Sequence, residues 1–432
     1  MAGSALYSGV RGPLTLGNTV GEQRQRCQVR NSASMKPLTG IRVLDFGRYI
    51  AGPYCAALLG DYGADVIRIE RIGGNEDRFP VPVAEDGAGA GFLQMNRNKR
   101  SLALSLGSEN GQAIVRRLVA TADIVVANMP AEALAKVGLD LASLAKIKPD
   151  IILVTASAFG EEGPMAGRIG FDAVGQAMSG AVHLTGTPDQ PYRAQVNYVD
   201  FGTALHCAFG AMVALRERER TGRGQQVSGS LLGTATAMAN VLSIDHALNG
   251  IERQPIGNRG YGSAPTNMFR TNDGWIMTQV VGNQIFARWA KLVGAPELID
   301  DPRYASDRTR GDNGEALSTR MAAWCIGRTT AQAMEELGEA RVPVGQVLTP
   351  SAVMAHPQVQ ASGFVEHVRY PGTLAPAPIV GAPIKLSDCP RDPMTRAPQA
   401  GEHSSAILAE IGFTTGEITA MAASGIVQLG SG

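Results

Sequence analysis

At 432 residues the chain is longer than a single hydrophobic core usually grows, so two domains or one interwoven architecture are expected. Hydrophobic residues make up 44% and charged residues 18%, which excludes a disordered chain. Lysine plus arginine equal aspartate plus glutamate at 39 each, so no global field recruits nucleic acid or an anionic membrane. No apolar run reads as long enough to cross a bilayer. The five cysteines (Cys27, Cys55, Cys207, Cys325 and Cys389) are scattered without a C-x-x-C pair, which fits a reducing, cytoplasmic compartment. The six histidines include no H-x-x-x-H pair, so no metal site is expected.

In chain order, residues 1–35 are polar, glycine-rich and aperiodic, with arginines but no apolar h-region. They read as a disordered extension; a transit peptide and a start at Met35 are the alternatives. A strand at 41–46, a helix at 53–62 and a strand at 65–69 then form a βαβ unit with a parallel sheet. Strands at 102–106, 124–127 and 151–155, with helices at 111–120 and 131–137 between them, continue the rhythm. The expected fold class is therefore α/β, with an open, doubly wound, Rossmann-like sheet. Ligands of such sheets bind beyond the carboxyl ends of the strands, which places a site after Phe46, Ile69, Ala127 and Thr155. The glycines of Phe46-Gly-Arg-Tyr-Ile-Ala-Gly-Pro53 are out of register for a dinucleotide fingerprint, and the chain has no P-loop and no G-x-S-x-G elbow.

Asp200 stands between an extended run (194–199) and a long apolar helix pattern from Phe201 to Arg220. It reads as the N-cap of that helix, ionised and aimed at helix N–H groups, or as a carboxylate nucleophile at the mouth of a site. The helix ends in a solvated tip, Arg216-Glu-Arg-Glu-Arg220. A polar extended run (225–230), a second apolar helix (231–248) and a glycine- and proline-rich loop (251–265) follow, the loop expected to be mobile. Two strands around the turn Asn272-Asp-Gly274 and helices to about Arg341 form a smaller α+β domain. Beyond Val342 the chain is proline-rich and strand-like, and it closes in helices after Gly401.

Nine stretches, weak singly but specific in order and spacing, resemble the family III CoA-transferases across about 36–425. They are Leu38-Thr-Gly-Ile-Arg-Val-Leu-Asp-Phe46, Ala51-Gly-Pro53, Leu59-Gly-Asp-Tyr-Gly-Ala-Asp-Val-Ile-Arg-Ile-Glu70, Asn96-Arg-Asn-Lys-Arg-Ser101, Ala122-Asp-Ile-Val-Val-Ala-Asn128, Gly170-Phe-Asp172, Asp200-Phe-Gly202, Thr221-Gly-Arg-Gly-Gln225 and Gly401-Glu-His403. The family includes formyl-CoA transferase, carnitine CoA-transferase and the 2-methylacyl-CoA racemases.

The resemblance implies that Asp200 is a covalent nucleophile and that Arg71, Asn128 and Lys136 contact CoA, with Asn96 and Arg100 near the nucleotide. Asp172 is expected to hydrogen-bond locally and hold the site wall. The family's Asn-Phe/Tyr-x-Pro-Gly segment is here Asn128-Met-Pro-Ala-Glu132, which loses an aromatic and a glycine. The implied substrates are an acyl-CoA, with succinyl-CoA as donor, and a small carboxylic acid, with no resident cofactor. A racemase is the alternative, but where racemases carry a histidine this chain has Phe171, and where they carry a glutamate it has Asn283. The segment from Gly257 to Gly262 corresponds to a glycine loop that shields intermediates in formyl-CoA transferase, here less glycine-dense. The resemblance also implies an interlocked-ring homodimer. Its large domain would span 36–225 and 350–432, and a linker helix and small domain 226–349.

Overall fold

The computed structural model describes residues 36–389 and 391–430, so the N-terminal extension expected at 1–35 lies outside the described residues. The first half of the chain alternates strand and helix as its hydrophobic pattern requires. In order come β1 (Arg42–Asp45), α1 (Ala51–Asp61), β2 (Asp65–Glu70), α2 (Ala90–Met95), β3 (Lys99–Leu104), α3 (Glu109–Thr121), β4 (Ile124–Ala127), α4 (Ala131–Lys136), α5 (Leu141–Ile147) and β5 (Ile152–Ser157). Short elements follow: α6 (Asp172–Met178), α7 (Ala181–Leu184) and a small hairpin of β6 (Gly186–Thr187) and β7 (Gln190–Pro191). The long helix α8 (Tyr198–Thr221), strand β8 (Gln226–Ser230) and helix α9 (Leu231–Asn249) complete this part.

Apart from the β6–β7 hairpin, these strands, joined by β14 (Val427–Gln428), form a sheet ordered β14-β3-β2-β1-β4-β5-β8. All its pairings are parallel except that of β14 with β3. The sheet is thus mixed but dominated by parallel pairs. Its interior strands are apolar on both faces, as crossover helices on either side demand. Leu44, Ile67, Val125 and Leu153 point to one face, against Ile114 and Leu118 of α3 and Leu144 of α5. Val43, Val66, Val126 and Val154 point to the other, against Cys55 and Leu59 of α1 and Ala204, Cys207 and Ala211 of α8. This period of two follows from the pleat.

Residues 226–230, which the sequence reading set beyond a domain boundary at 225, are the edge strand of this sheet. The extended run expected there is present, and its polar side chains suit a strand paired on one side only. Helix α8 corrects a second expectation. By length and composition it is apolar enough to cross a bilayer, but its small side chains pack on α1 and β5. The charged tip behaves as expected, with exposed Arg216–Glu219 and Arg220–Glu217 pairs before Gly222 ends the helix at φ +69°.

Residues 264–342 carry a separate hydrophobic cluster around Phe269, Trp289, Met321 and Leu337. A three-stranded antiparallel sheet builds one side of it, from β9 (Thr266–Arg270), β10 (Trp275–Gln279) and β11 (Val344–Gln346). Helices α10 (Asn283–Leu292), α11 (Asp307–Asp312), α12 (Gly314–Cys325) and α13 (Thr330–Glu339) cover it. The hairpin expected around Asn272 to Gly274 is present as the β9–β10 pair. Two further strands, β12 (Val365–Val368) and β13 (Ala377–Val380), pair antiparallel in the C-terminal part.

Candidate active site

Strand order reverses between β1 and β4, and loops leaving their carboxyl ends diverge there to opposite faces. A cavity of about 570 Å³ opens at this point. Arg48 and Tyr49 reach it from the loop after β1, Asn128 from the end of β4, Glu161, Arg168 and Phe171 from the loop after β5, and Asp200 from α8. Of the four segments expected to hold the site, those after Phe46, Ala127 and Thr155 form its walls. The segment after Ile69 contributes Glu76.

The loop after β1 is fixed by close approach. A Cβ on Gly52 would lie 2.9 Å from the Cα of Gly47, so the glycines of this motif let the loop fold back onto the start of α1. Asn128 then clamps the loop, accepting from the Arg48 N–H at 2.8 Å and donating to the Arg48 carbonyl at 2.7 Å.

Asp200 is not the N-cap of α8. The helix begins at Tyr198, with Asn197 at the cap, and Asp200 sits in its first turn. The acceptor for the helix N–H groups comes from elsewhere in the chain. Buried Asp172 accepts from the N–H of Val199 at 2.8 Å and of Asp200 at 3.0 Å through Oδ2, and its Oδ1 accepts from the Gln176 amide. The Asp200 carboxylate has no hydrogen-bond or ion-pair partner among the described residues, so it is free to meet a ligand in the cavity.

Nor is Asp200 the readily ionised carboxylate that a cap would be. Burial, then the nearby Asp172 charge, push it up to about 7. The first turn of α8 works in the opposite direction, since a helix N-terminus favours an anion. Because the folded value lies above the ordinary 3.8, the folded chain holds a proton that the unfolded chain releases between the two. The resulting stability is complete below pH 3.8 and is lost as pH rises through about 7. Asp200→Asn, which cannot ionise, should therefore be more stable than wild type at pH 8 by about 1–2 kcal/mol, after allowance for partial exposure. Thermal denaturation at pH 5 and pH 8 checks this, and a difference that does not grow with pH would contradict it.

The remaining candidates are dispersed. Asn128 lines the cavity. Arg71 is largely exposed, donates to the Gly74 carbonyl at 2.7 Å and comes within 3.8 Å of Glu76, one side chain from the cavity. Lys136 is exposed at the end of α4 and does not line it.

Asn96 and Arg100 are not at the cavity either. Asn96 is wholly buried, accepting from Arg68 at 3.2 Å and Lys99 at 2.9 Å. Arg100 pairs with Asp65, the first residue of β2, and with Glu410, which puts its guanidinium at the amino-terminal edge of the sheet, opposite the site. The Asn96-Arg-Asn-Lys-Arg-Ser101 motif is a buried polar framework. Arg97 binds Asp61 at 3.0 and 2.7 Å, Lys99 binds Asp45 at 2.7 Å, and Ser101 donates to Glu70 at 2.6 Å. Asn283 accepts from Arg310 at 2.9 Å and lines no part of the cavity.

Among the lining residues that sequence alone does not single out are Arg48, Tyr49 and Arg168. Arg48 and Tyr49 lie in the segment after β1 that topology marks, but they belong to no recognisable ligand-binding motif there. No local pattern marks Arg168. Its side chain makes no hydrogen bond or ion pair among the described residues, whereas Arg48 is held by Glu76 at 2.8 Å.

Comparison with known proteins identifies the family. The model of CoA-transferase family III matches residues 38–404. The chain is 33% identical to the succinyl-CoA:glutarate CoA-transferase of Mus musculus, over 91% of each chain. It is 32% identical to the succinyl-CoA–D-citramalate CoA-transferase of Chloroflexus aurantiacus, over 91% of this chain and 98% of that protein. Its fold superimposes on the crystal structure of a CAIB/BAIF family protein from Brucella suis with a TM-score of 0.77 and 32% identity, covering 88% of this chain and all of that one. With a matching family model across most of its length and relatives aligned almost end to end, the chain belongs to CoA-transferase family III and is a CoA-transferase.

Proposed function

We propose that the protein transfers CoA from succinyl-CoA to a small carboxylic acid, with Asp200 as covalent nucleophile and no resident cofactor. The observation that carries this is an unpartnered carboxylate, its own amide anchored by Asp172, in the cavity at the sheet's reversal point. The ionised Asp200 oxygen adds to the thioester carbonyl and the C–S bond breaks, leaving an acyl-aspartyl anhydride and CoA thiolate. The thiolate adds to the Asp200 carbonyl and the donor acid leaves as its carboxylate, giving an aspartyl-CoA thioester. An acceptor carboxylate runs both steps in reverse and restores Asp200. Exchanging one thioester for another is nearly isoenergetic, so a carboxylate that is both nucleophile and leaving group suffices. The names of the relatives support succinyl-CoA as donor and a dicarboxylic acceptor such as glutarate.

The test is acyl exchange between succinyl-CoA and a panel of free acids, read by mass spectrometry. Exchange with none of them would end this reading. Deuterium incorporation at an acyl-CoA α-carbon in heavy water, without an acceptor, would favour a racemase instead. Phe171 in the cavity wall, which cannot carry a proton, speaks against that outcome.

Arg48 and Arg168 are suited to the CoA phosphates, as is Arg71 at the cavity's margin. Replacing Arg168 or Arg71 by Ala should raise the KM for the CoA ester about tenfold with little change in kcat, since remote phosphate contacts act alike in ground and transition states. Steady-state kinetics decide, and a fall in kcat at constant KM would move the CoA pocket elsewhere.

We further propose a cytoplasmic homodimer with a discontinuous large domain and a small domain around the 264–342 cluster. Leu205, Phe209 and Val213, four residues apart on α8, and Val241 and Leu248 on α9 are exposed apolar side chains, which supports a partner subunit on this face. Light scattering that finds a monomer would reject the dimer.

A further inference from the structure

Two aromatic rings stand in the wall of the cavity that Asp200 also lines. Tyr49 and Phe171 meet edge to face, with centroids 5.8 Å apart and planes at 87°. Neither is buried by the rest of the chain, at 41% and 58% exposed. Phe171 directly precedes Asp172, the acceptor for the Asp200 amide, so the ring pair is tied through one residue to the start of α8.

The backbone of Tyr49 is held in an unfavourable conformation to put its ring there. Its φ is +61°, in the left-handed region that bulky residues rarely adopt. Contacts on both sides impose it. Asp77 accepts from the Tyr49 N–H at 3.1 Å and is itself gripped by buried Arg68 at 2.8 and 3.0 Å, while Asn128 clamps Arg48 on the other side. The segment from Gly257 to Gly262, counterpart of a shielding glycine loop, contributes no residue to the cavity.

We propose that the Tyr49–Phe171 ring pair shields the Asp200 intermediates from water and so sets how often they are transferred rather than hydrolysed. This rests on the reading of Asp200 as nucleophile. In the competing reaction, water adds to the carbonyl carbon of the Asp200–CoA thioester and the C–S bond breaks. CoA leaves as the free thiol, the Asp200 carboxylate returns, and one proton passes to solvent. Two rings in the wall of the same cavity keep that water out without contributing a group that could activate it.

Tyr49→Gly is the cleanest test, because glycine adopts a positive φ without steric cost and only the ring is lost. Phe171→Ala removes the other half of the pair, and Phe171→Leu restores part of its bulk. Each protein is incubated with succinyl-CoA, with and without glutarate; free thiol is read with a chromogenic disulfide and exchange by mass spectrometry. Thiol released per transfer event should rise about tenfold in Tyr49→Gly and in Phe171→Ala, and by less in Phe171→Leu. The double variant should exceed either single one little, since each loss opens the same path. Folded variants that keep the wild-type ratio would overturn the proposal, as would Phe171→Leu matching Phe171→Ala. Should Tyr49→Gly not fold, the two Phe171 variants decide alone. Failure of the underlying reading looks different: Asp200→Asn would then exchange acids at a near-normal rate.

Discussion

Asp200→Asn should lose CoA transfer by about 10³-fold or more while still folding and binding CoA esters. The substitution keeps the shape of the side chain and leaves the helix start untouched, because the acceptor for its N–H groups is Asp172. Only the anionic oxygen is removed. Wild-type enzyme incubated with succinyl-CoA and hydroxylamine should inactivate, with a hydroxamate on the peptide containing Asp200. Its single-turnover rate should rise with pH and level off above about 7, since burial and Asp172 hold Asp200 protonated below that point. Near-normal exchange by Asp200→Asn, or labelling at Asp172 instead, would remove Asp200 from its assigned role.

The second large effect is expected at Asp172, through structure rather than chemistry. Asp172→Asn weakens charge-assisted bonds to two backbone N–H groups at the start of α8, and stability should fall by about 1–3 kcal/mol. A loosened α8 start misplaces the nucleophile, so transfer should fall about tenfold to hundredfold, less than for Asp200→Asn. The pH profile separates this from simple damage. Asp172 is the second cause of the raised Asp200 value, so removing its charge must shift the inflection below 7. Thermal denaturation and single-turnover profiles check both parts. An unchanged inflection with unchanged stability would mean that Asp172 and Asp200 are not coupled.

The α/β class, the parallel sheet and the edge of that sheet which carries the site were readable from the chain. Apolar runs such as Ile124–Ala127 are local signals, and the rule that ligands sit beyond carboxyl ends needs only strand direction. The segments after Phe46, Ala127 and Thr155 wall the cavity for that reason. Where an expectation depended on which segments meet, the sequence was insufficient. Asp200 looked like a helix cap because an acid before an apolar helix usually is one. The actual acceptor lies 28 residues upstream and is invisible to a local reading. Asn96 and Arg100 looked like cations and amides near a nucleotide, yet their partners at Lys99, Arg68, Asp65 and Glu410 turn them into framework.

By itself, then, the sequence determined the strand and helix succession, the family and the single acid on which the chemistry is expected to turn. These follow from side-chain periodicity and from motif order, both of which are linear properties of the chain. Only the tertiary structure decided that Asp172 anchors that acid, that burial and then the Asp172 charge raise its proton affinity, that Arg48 and Arg168 face the cavity, and that Tyr49 is forced into a left-handed turn against Phe171. Burial, charge proximity and ring contact are set by distances between segments far apart in the chain, and no local pattern encodes them.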